Sequence, residues 1–235
     1  MIKGVLFDLD DTLLDFTLSQ EASLNEVLLS IGLRPDQDLF FETFQRINSE
    51  LWDDLQSGRV KKEFLRVERF VRFAKCFSMK AAPLVLAGLF VEKLSQSAHE
   101  IRGATQLCEK LKKIGIEIAI VTNGFKEVQK SRILKSGLDR FITTIVVSEE
   151  VGFAKPHPKI FEVALDRLGL HANEVLVVGD RLDADIQGAK NIGAKSCLFR
   201  PGKFDSKETK VDGGLPVPEF ETTSLDDIWK FVQIS

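Results

Sequence analysis

The chain has 235 residues, 44% of them hydrophobic and 29% charged, with a formal net charge of −3. That is enough apolar material for one large domain or two small ones, and the lack of polycation character argues against nucleic-acid polymers as partners while leaving small anions open. Cys76, Cys108 and Cys197 have no metal-ligand spacing, no basic leader precedes the first apolar run, and no apolar run reaches the ~18 residues needed to span a bilayer, so a soluble cytoplasmic protein with buried, reduced thiols and no membrane partner is expected.

Gly4-Val5-Leu6-Phe7 reads as a buried strand, and it ends in Asp8-Leu9-Asp10-Asp11-Thr12. Residues 16–97 then hold no convincing strand. They carry three or four helical patterns with polar joints at Gly32-Leu33-Arg34-Pro35, Ser57-Gly58 and Lys80 to Pro83. One of these helices, Val60 to Phe77, is expected to place Val60, Phe64, Val67, Val71 and Ala74 on an apolar stripe. Lys62, Arg66 and Arg69 lie opposite, as a solvated face or as a basic surface that steers anions. An all-helical block inserted after the first strand predicts a cap domain over 16–97. Its ends must lie close together, which suits a hinged lid on a core made of 1–15 and 98–235.

From about residue 100 strands alternate with helices. Ile116–Val121 is a β-branched strand, followed by a helix that Ser136-Gly137 closes. Ile142–Val147 is the next strand, and Pro158–Leu168 a helix ended by Gly169. Glu174–Val178 is a strand, Leu182–Asn191 a helix closed by Gly193, Lys195–Phe199 a strand, and Leu225–Val232 a terminal helix. Pro201 to Pro218, rich in Gly, Pro and charge, reads as a surface loop. Repeated βα units with buried strands imply an α/β fold: a Rossmann-like parallel sheet, covered on both faces, with an inserted all-helical cap.

Polar residues recur where these strands end. Asp8 and Asp10 follow the first, Thr122-Asn123-Gly124 the second, and Gly179-Asp180 a later one, with Asp185 five residues on and Lys155-Pro156 between. The C-terminal edge of an open α/β sheet is where ligands bind. Each feature has a plain alternative: aspartates that cap the next helix, an N-cap threonine, a solvated loop lysine. Asp183 and Asp185 suit a first helical turn on dipole grounds alone. The glycine before Asp180 would let the backbone approach a ligand closely. Together, Asp8, Asp10, Asp180 and Asp185 would repel one another unless compensated. An oxygen-loving divalent cation plus Lys155 would do so, and Mg²⁺ suits such a set, whereas His99, His157 and His171 are too scattered to favour zinc. The group describes metal-assisted phosphoryl transfer.

Asp-Leu-Asp-Asp-Thr-Leu at 8–13, Thr-Asn-Gly at 122–124, Lys-Pro at 155–156 and Gly-Asp-x4-Asp at 179–185 resemble, in order and spacing, the four motifs of the haloacid dehalogenase (HAD) superfamily of phosphatases. The helical insert looks like that superfamily's C1-type cap. Thr-Asn-Gly-Phe, Ser-Glu-Glu-Val-Gly-Phe-Ala-Lys-Pro and the Asn48–Gly58 segment resemble its YjjG/YfnB-type branch, whose characterised members are pyrimidine 5′-nucleotidases. The resemblance implies that Asp8 is the nucleophile forming an aspartyl-phosphate and Asp10 the acid and then base. It implies that Asp8, the carbonyl of Asp10 and Asp180 hold Mg²⁺ with Asp185 behind them. Thr122, Asn123 and Lys155 would bind the phosphoryl oxygens. Asp10 speaks against the dehalogenases proper and the phosphonate-cleaving branch, which lack an acid there, and Asp11 against the phosphoglucomutases, which usually have glycine.

The expected substrate is a small phosphorylated metabolite, best a pyrimidine nucleoside 5′-monophosphate. Sugar phosphates or phosphoglycolate are the alternative, and a non-catalytic phospholigand-binding protein a further one. The protein is expected to be a monomer or homodimer. In the cap, Trp52 could stack on a nucleobase or pack between helices. Phe16, where the chain enters the cap, could face the leaving group or the core.

Overall fold

The computed structural model describes residues 1–34, 37–202 and 216–234. Pro35 and the greater part of the expected 201–218 loop lie outside them. The chain divides into two compact units, Met1–Phe16 with Ala98–Ser235, and Thr17–Ser97.

The first unit is built on six parallel strands: β1 (Gly4–Phe7), β2 (Glu117–Thr122), β3 (Thr144–Val147), β4 (Val175–Gly179), β5 (Lys195–Phe199) and β6 (Phe220–Thr222), in the order β3-β2-β1-β4-β5-β6. Successive strand residues face opposite ways, so a sheet covered on both sides needs apolar residues at every position. The strands supply them. Val5, Phe7, Ile118, Ile120, Leu176 and Val178 join one buried cluster; Leu6, Ala119, Val121, Val175 and Val177 join the other. Helices α5 (Ala104–Lys113) and α10 (Leu225–Ile234) close the first face, with Leu107, Leu111 and Ile228 inside. Helices α8 (Pro158–Leu168) and α9 (Gln187–Ile192) close the second, with Ile160, Phe161 and Ala189. A wide π-type turn over Leu182–Ile186 leads into α9, where the sequence suggests one continuous helix. Pro158 starts α8, as the sequence suggests, and His157 caps it by accepting the Lys159 N–H at 3.1 Å. The remaining helices of this unit are α6 (Lys126–Ser136) and the short α7 (Ser148–Val151).

The two chain crossings at the edge of this unit are paired. The Asp15 N–H donates to the His99 carbonyl at 2.8 Å, and the Ile101 N–H to the Leu13 carbonyl at 2.9 Å.

The second unit is helical: α1 (Phe16–Ser30), α2 (Gln37–Gln56), α3 (Lys62–Cys76) and α4 (Pro83–Gln96). Its core is a group of phenylalanines, Phe44, Phe70, Phe73 and Phe90, with ring centroids 5.1–6.4 Å apart. The buried face of α3 is Leu65, Arg69, Phe70, Phe73 and Ala74. The stripe expected from the sequence is rotated away from it, and Phe64 (49%) and Val71 (41%) are exposed. Arg69, expected in solvent, is only 2% exposed. Its guanidinium lies 4.7 Å from the Phe90 ring centroid and Nη1 donates to Asn48 Oδ1 at 3.2 Å. Cation–π attraction explains how a charge is tolerated there, although burial, helped by Arg66, pushes its pKa down to about 9. Cys76, expected inside, is exposed; Cys108 and Cys197 are buried. Among the described residues no helix is long and apolar enough to cross a membrane.

Candidate active site

The strand order reverses at β1: the chain runs β1, β2, β3 to one side, then crosses to β4, β5 and β6 on the other. At such a switch point, ligands of open α/β sheets bind outside the C-terminal ends of the strands. Phe7 pairs with Ile120 and Val178, so Asp8, Thr122 and Asp180 leave adjacent strands at nearly one level. The Asp8 N–H donates to the Val178 carbonyl at 2.8 Å, the last link before the chain turns away.

The turn itself is made by Asp11. Its φ is +56°, and its carboxylate accepts the Phe16 N–H at 2.9 Å, at the start of α1. The helix-capping role that could have explained Asp8 and Asp10 therefore falls to Asp11.

Among the described residues, one ammonium sits among the acids. Lys155 Nζ donates to Asp8 Oδ1 at 2.5 Å and to Asp185 Oδ1 at 2.6 Å, and all three side chains are buried. Oxygens of Asp8, Asp180 and Asp185 lie within 4.8 Å of one another. One positive charge does not balance three negative ones at this depth. Burial, with Asp185 and Asp10 adding to it, pushes Asp8 up to about 7 in spite of Lys155. Desolvation and the charges of Asp8, Asp185 and Asp11 raise Asp180 well above the usual carboxylate range. Burial works against the Lys155 charge, but Asp185 and Asp8 outweigh it and hold its pKa above the ordinary lysine value. The excess of carboxylate is what a divalent, oxygen-ligated cation would correct.

Asp185 reaches this group because residue 179 is glycine. A Cβ there would lie 2.2 Å from Asp185 Cγ, and Asp185 Oδ2 also accepts the Arg181 N–H at 3.2 Å. The sequence suggests that Gly179 makes way for a ligand, whereas it makes way for Asp185. Gly179→Ala is expected to displace the Asp185 carboxylate, and any divalent cation bound at this cluster would then be held about tenfold more weakly, or worse. Thermal unfolding with and without added divalent cation checks this.

Thr122 Oγ1 accepts from the Gly124 N–H at 3.1 Å and from Gln129 Nε2 at 2.9 Å, which leaves its own proton to donate outward. Asn123 behaves differently from the reading that gave it to phosphate. Its Oδ1 accepts the Lys155 N–H at 2.8 Å and its Nδ2 donates to the Lys155 carbonyl at 3.1 Å. Its side chain is a two-pronged clamp on the lysine loop. Asp10 is half-buried and turned toward α6, where Gln129 and Arg132 bond its two oxygens. Neither of those residues stood out in the sequence; their shared face of one helix, three residues apart and just beyond Thr-Asn-Gly, is the signal that was available. Phe16 is half-buried with the Arg132 guanidinium 5.3 Å from its ring centroid. Trp52 is half-buried on α2 of the helical unit. Asp183 pairs with Arg181 at 2.7 Å and stands apart from the acid cluster.

A family model for haloacid dehalogenase-like hydrolases matches residues 2–193. The chain belongs to that hydrolase family. Among curated relatives, it is 33% identical to a glyceraldehyde 3-phosphate phosphatase of Methanopyrus kandleri, over 94% of this chain and 93% of that one. It is 32% identical to the pyrimidine 5′-nucleotidase YjjG of Escherichia coli, over 82% and 84%. Among solved structures, the magnesium-bound HAD-hydrolase YfnB of Bacillus subtilis, in which interdomain movement was seen, superposes with a TM-score of 0.86 at 27% identity, covering 99% of each chain. The family is the one that the four motifs suggest, and the YjjG/YfnB branch is among its relatives.

Proposed function

We propose that this hydrolase is a Mg²⁺-dependent phosphomonoesterase acting on a small soluble phosphate ester, with Asp8 as nucleophile. The observation that carries the reading is the gathering of Asp8, Asp180 and Asp185 around Lys155 at the switch point, with a fourth carboxylate, Asp10, two residues beyond Asp8. Mg²⁺ held by Asp8, the carbonyl of Asp10 and Asp180, with Asp185 behind, would supply positive charge to the phosphoryl oxygens. The magnesium in the YfnB structure supports that choice of metal.

In the first half-reaction an Asp8 oxygen bonds to phosphorus as the ester P–O bond breaks, and Asp10 gives its proton to the departing alkoxide. In the second, water attacks phosphorus, its proton passes to Asp10, and phosphate leaves Asp8. Both carboxyl groups are then as they began. Lys155 and the Thr122 hydroxyl hold the transferring oxygens, where charge spreads in the transition state. Asn123 fixes Lys155 through its backbone.

For the substrate, the nucleotidase name of YjjG supports a pyrimidine nucleoside 5′-monophosphate, and the archaeal relative's name supports a triose phosphate as second reading. The helical unit, as a cap bearing Trp52, would choose between them. The test is phosphate release from dUMP, dTMP, UMP, AMP, glyceraldehyde 3-phosphate, phosphoglycolate and sugar phosphates, with Mg²⁺ and with EDTA. Metal-dependent release led by the pyrimidine monophosphates is expected. Release led by another ester would keep the chemistry and discard the nucleotidase. A folded protein that releases phosphate from none would leave a binding protein.

A further inference from the structure

Asp10 is gripped by α6. Gln129 Nε2 donates to Asp10 Oδ2 at 2.7 Å and to Thr122 Oγ1 at 2.9 Å. Arg132 Nη1 donates to Asp10 Oδ1 and, at 3.3 Å, to Gln129 Oε1. Arg132 and Gln129 are 0% and 1% exposed. The chain makes room for this arrangement. A Cβ on residue 124 would lie 2.4 Å from Gln129 Nε2, so the glycine after Thr-Asn lets the amide lie against the β2–α6 turn.

A buried guanidinium is expensive to place, and a carboxylate with both oxygens engaged cannot rotate freely. A half-exposed acid needs neither constraint to stay folded. What the constraint fixes is direction. The Gln129 amide also bonds Thr122 Oγ1, which ties the support of the Asp10 carboxyl to the β2–α6 turn. Displacement of a reacting group by about 1 Å can cost on the order of 10²-fold in rate.

We propose that Gln129 and Arg132 are positioning residues that aim the Asp10 carboxyl at the leaving-group oxygen. This rests on the phosphatase reading, in which Asp10 passes its proton to the ester oxygen as the Asp8–phosphorus bond forms. The inference predicts a dependence on the leaving group. An alkoxide needs that proton to depart, and p-nitrophenolate does not.

The experiment compares single-turnover phosphorylation of the wild type, Gln129→Leu, Arg132→Met and Arg132→Lys, using p-nitrophenyl phosphate and the best alkyl or nucleoside ester from the panel. For Gln129→Leu and Arg132→Met the alkyl rate is expected to fall about 10²-fold, the size of a general-acid contribution, with KM within about twofold. The nitrophenolate burst should stay within about fivefold of wild type, followed by slow turnover because Asp10 is also the base for water. Arg132→Lys, which keeps a charged donor, should recover part of the alkyl rate. Equal losses on both esters, or no loss on either, would overturn the inference. Should Arg132→Met fail to fold, Gln129→Leu decides alone. If the wild type hydrolyses neither ester, the phosphatase reading has failed before any variant is compared.

Discussion

Asp8→Asn is expected to abolish turnover, by about 10⁴-fold or more as when other covalent nucleophiles are removed, while the metal-free protein becomes more stable. The first effect follows from chemistry, because an amide oxygen does not form the phosphoryl intermediate. The second follows from crowding. Asp8 ionises near 3.8 when free and is pushed up to about 7 by burial and by Asp185 and Asp10. Between those values the folded protein holds a proton that the unfolded chain has released. Stability from this group therefore falls as pH rises from about 4 to 7 and stays reduced above. Asparagine carries no charge, so it removes that loss. In EDTA at pH 8 the variant should melt above the wild type, and near pH 4 the two should converge. Mg²⁺ should stabilise the wild type more at pH 8 than at pH 5.5, and should stabilise Asp8→Asn less. Wild-type turnover by the variant, with deamidation excluded, would sink the nucleophile assignment. A melting temperature below wild type at pH 8 would sink the account of the charge.

Lys155→Met should have the opposite sign on stability and the same sign on activity. The methionine keeps the apolar stem and removes the ammonium bonded to Asp8 and Asp185. Breaking a buried pair from one side costs roughly 3–5 kcal/mol, because the abandoned charge stays buried. Here two carboxylates are abandoned beside a third. Mg²⁺ should restore part of the lost melting temperature, since it supplies charge to the same oxygens. Turnover should fall about 10²- to 10³-fold through loss of a donor to the transferring phosphoryl group. Thermal unfolding in EDTA and in Mg²⁺ checks it. A metal-free variant as stable as wild type would mean that Lys155 does not hold the cluster together.

The sheet was legible because buried parallel strands must be apolar on both faces, and Val5-Leu6-Phe7 or Leu176-Val177-Val178 can be little else. The acids at the ends of those runs stood out for the same reason. Less legible were charges doing interior work. Arg69 sits on an apolar face among phenylalanines, which the habit of placing arginine in solvent misses. Gln129 and Arg132 lie in a helix of mostly polar text, where no apolar stripe marks the inner side. Asn123 has the right chemistry for a phosphate, so its use on the Lys155 backbone shows only in coordinates. Three-residue β6 has too short a pattern to separate from loop.

The hydrogen-bonded crossing of Leu13–Asp15 and His99–Ile101 bears on how such a chain can change over generations. To the sheet, the whole helical insertion begins and ends at one spot, as a tight turn would. The entropy of closing an insertion grows only slowly with its length, so helices can be lengthened, exchanged or lost there with little disturbance to the strands. The sheet edge around Lys155 and the helical insertion can thus be altered by separate mutations. A lineage can keep the one while remodelling the other.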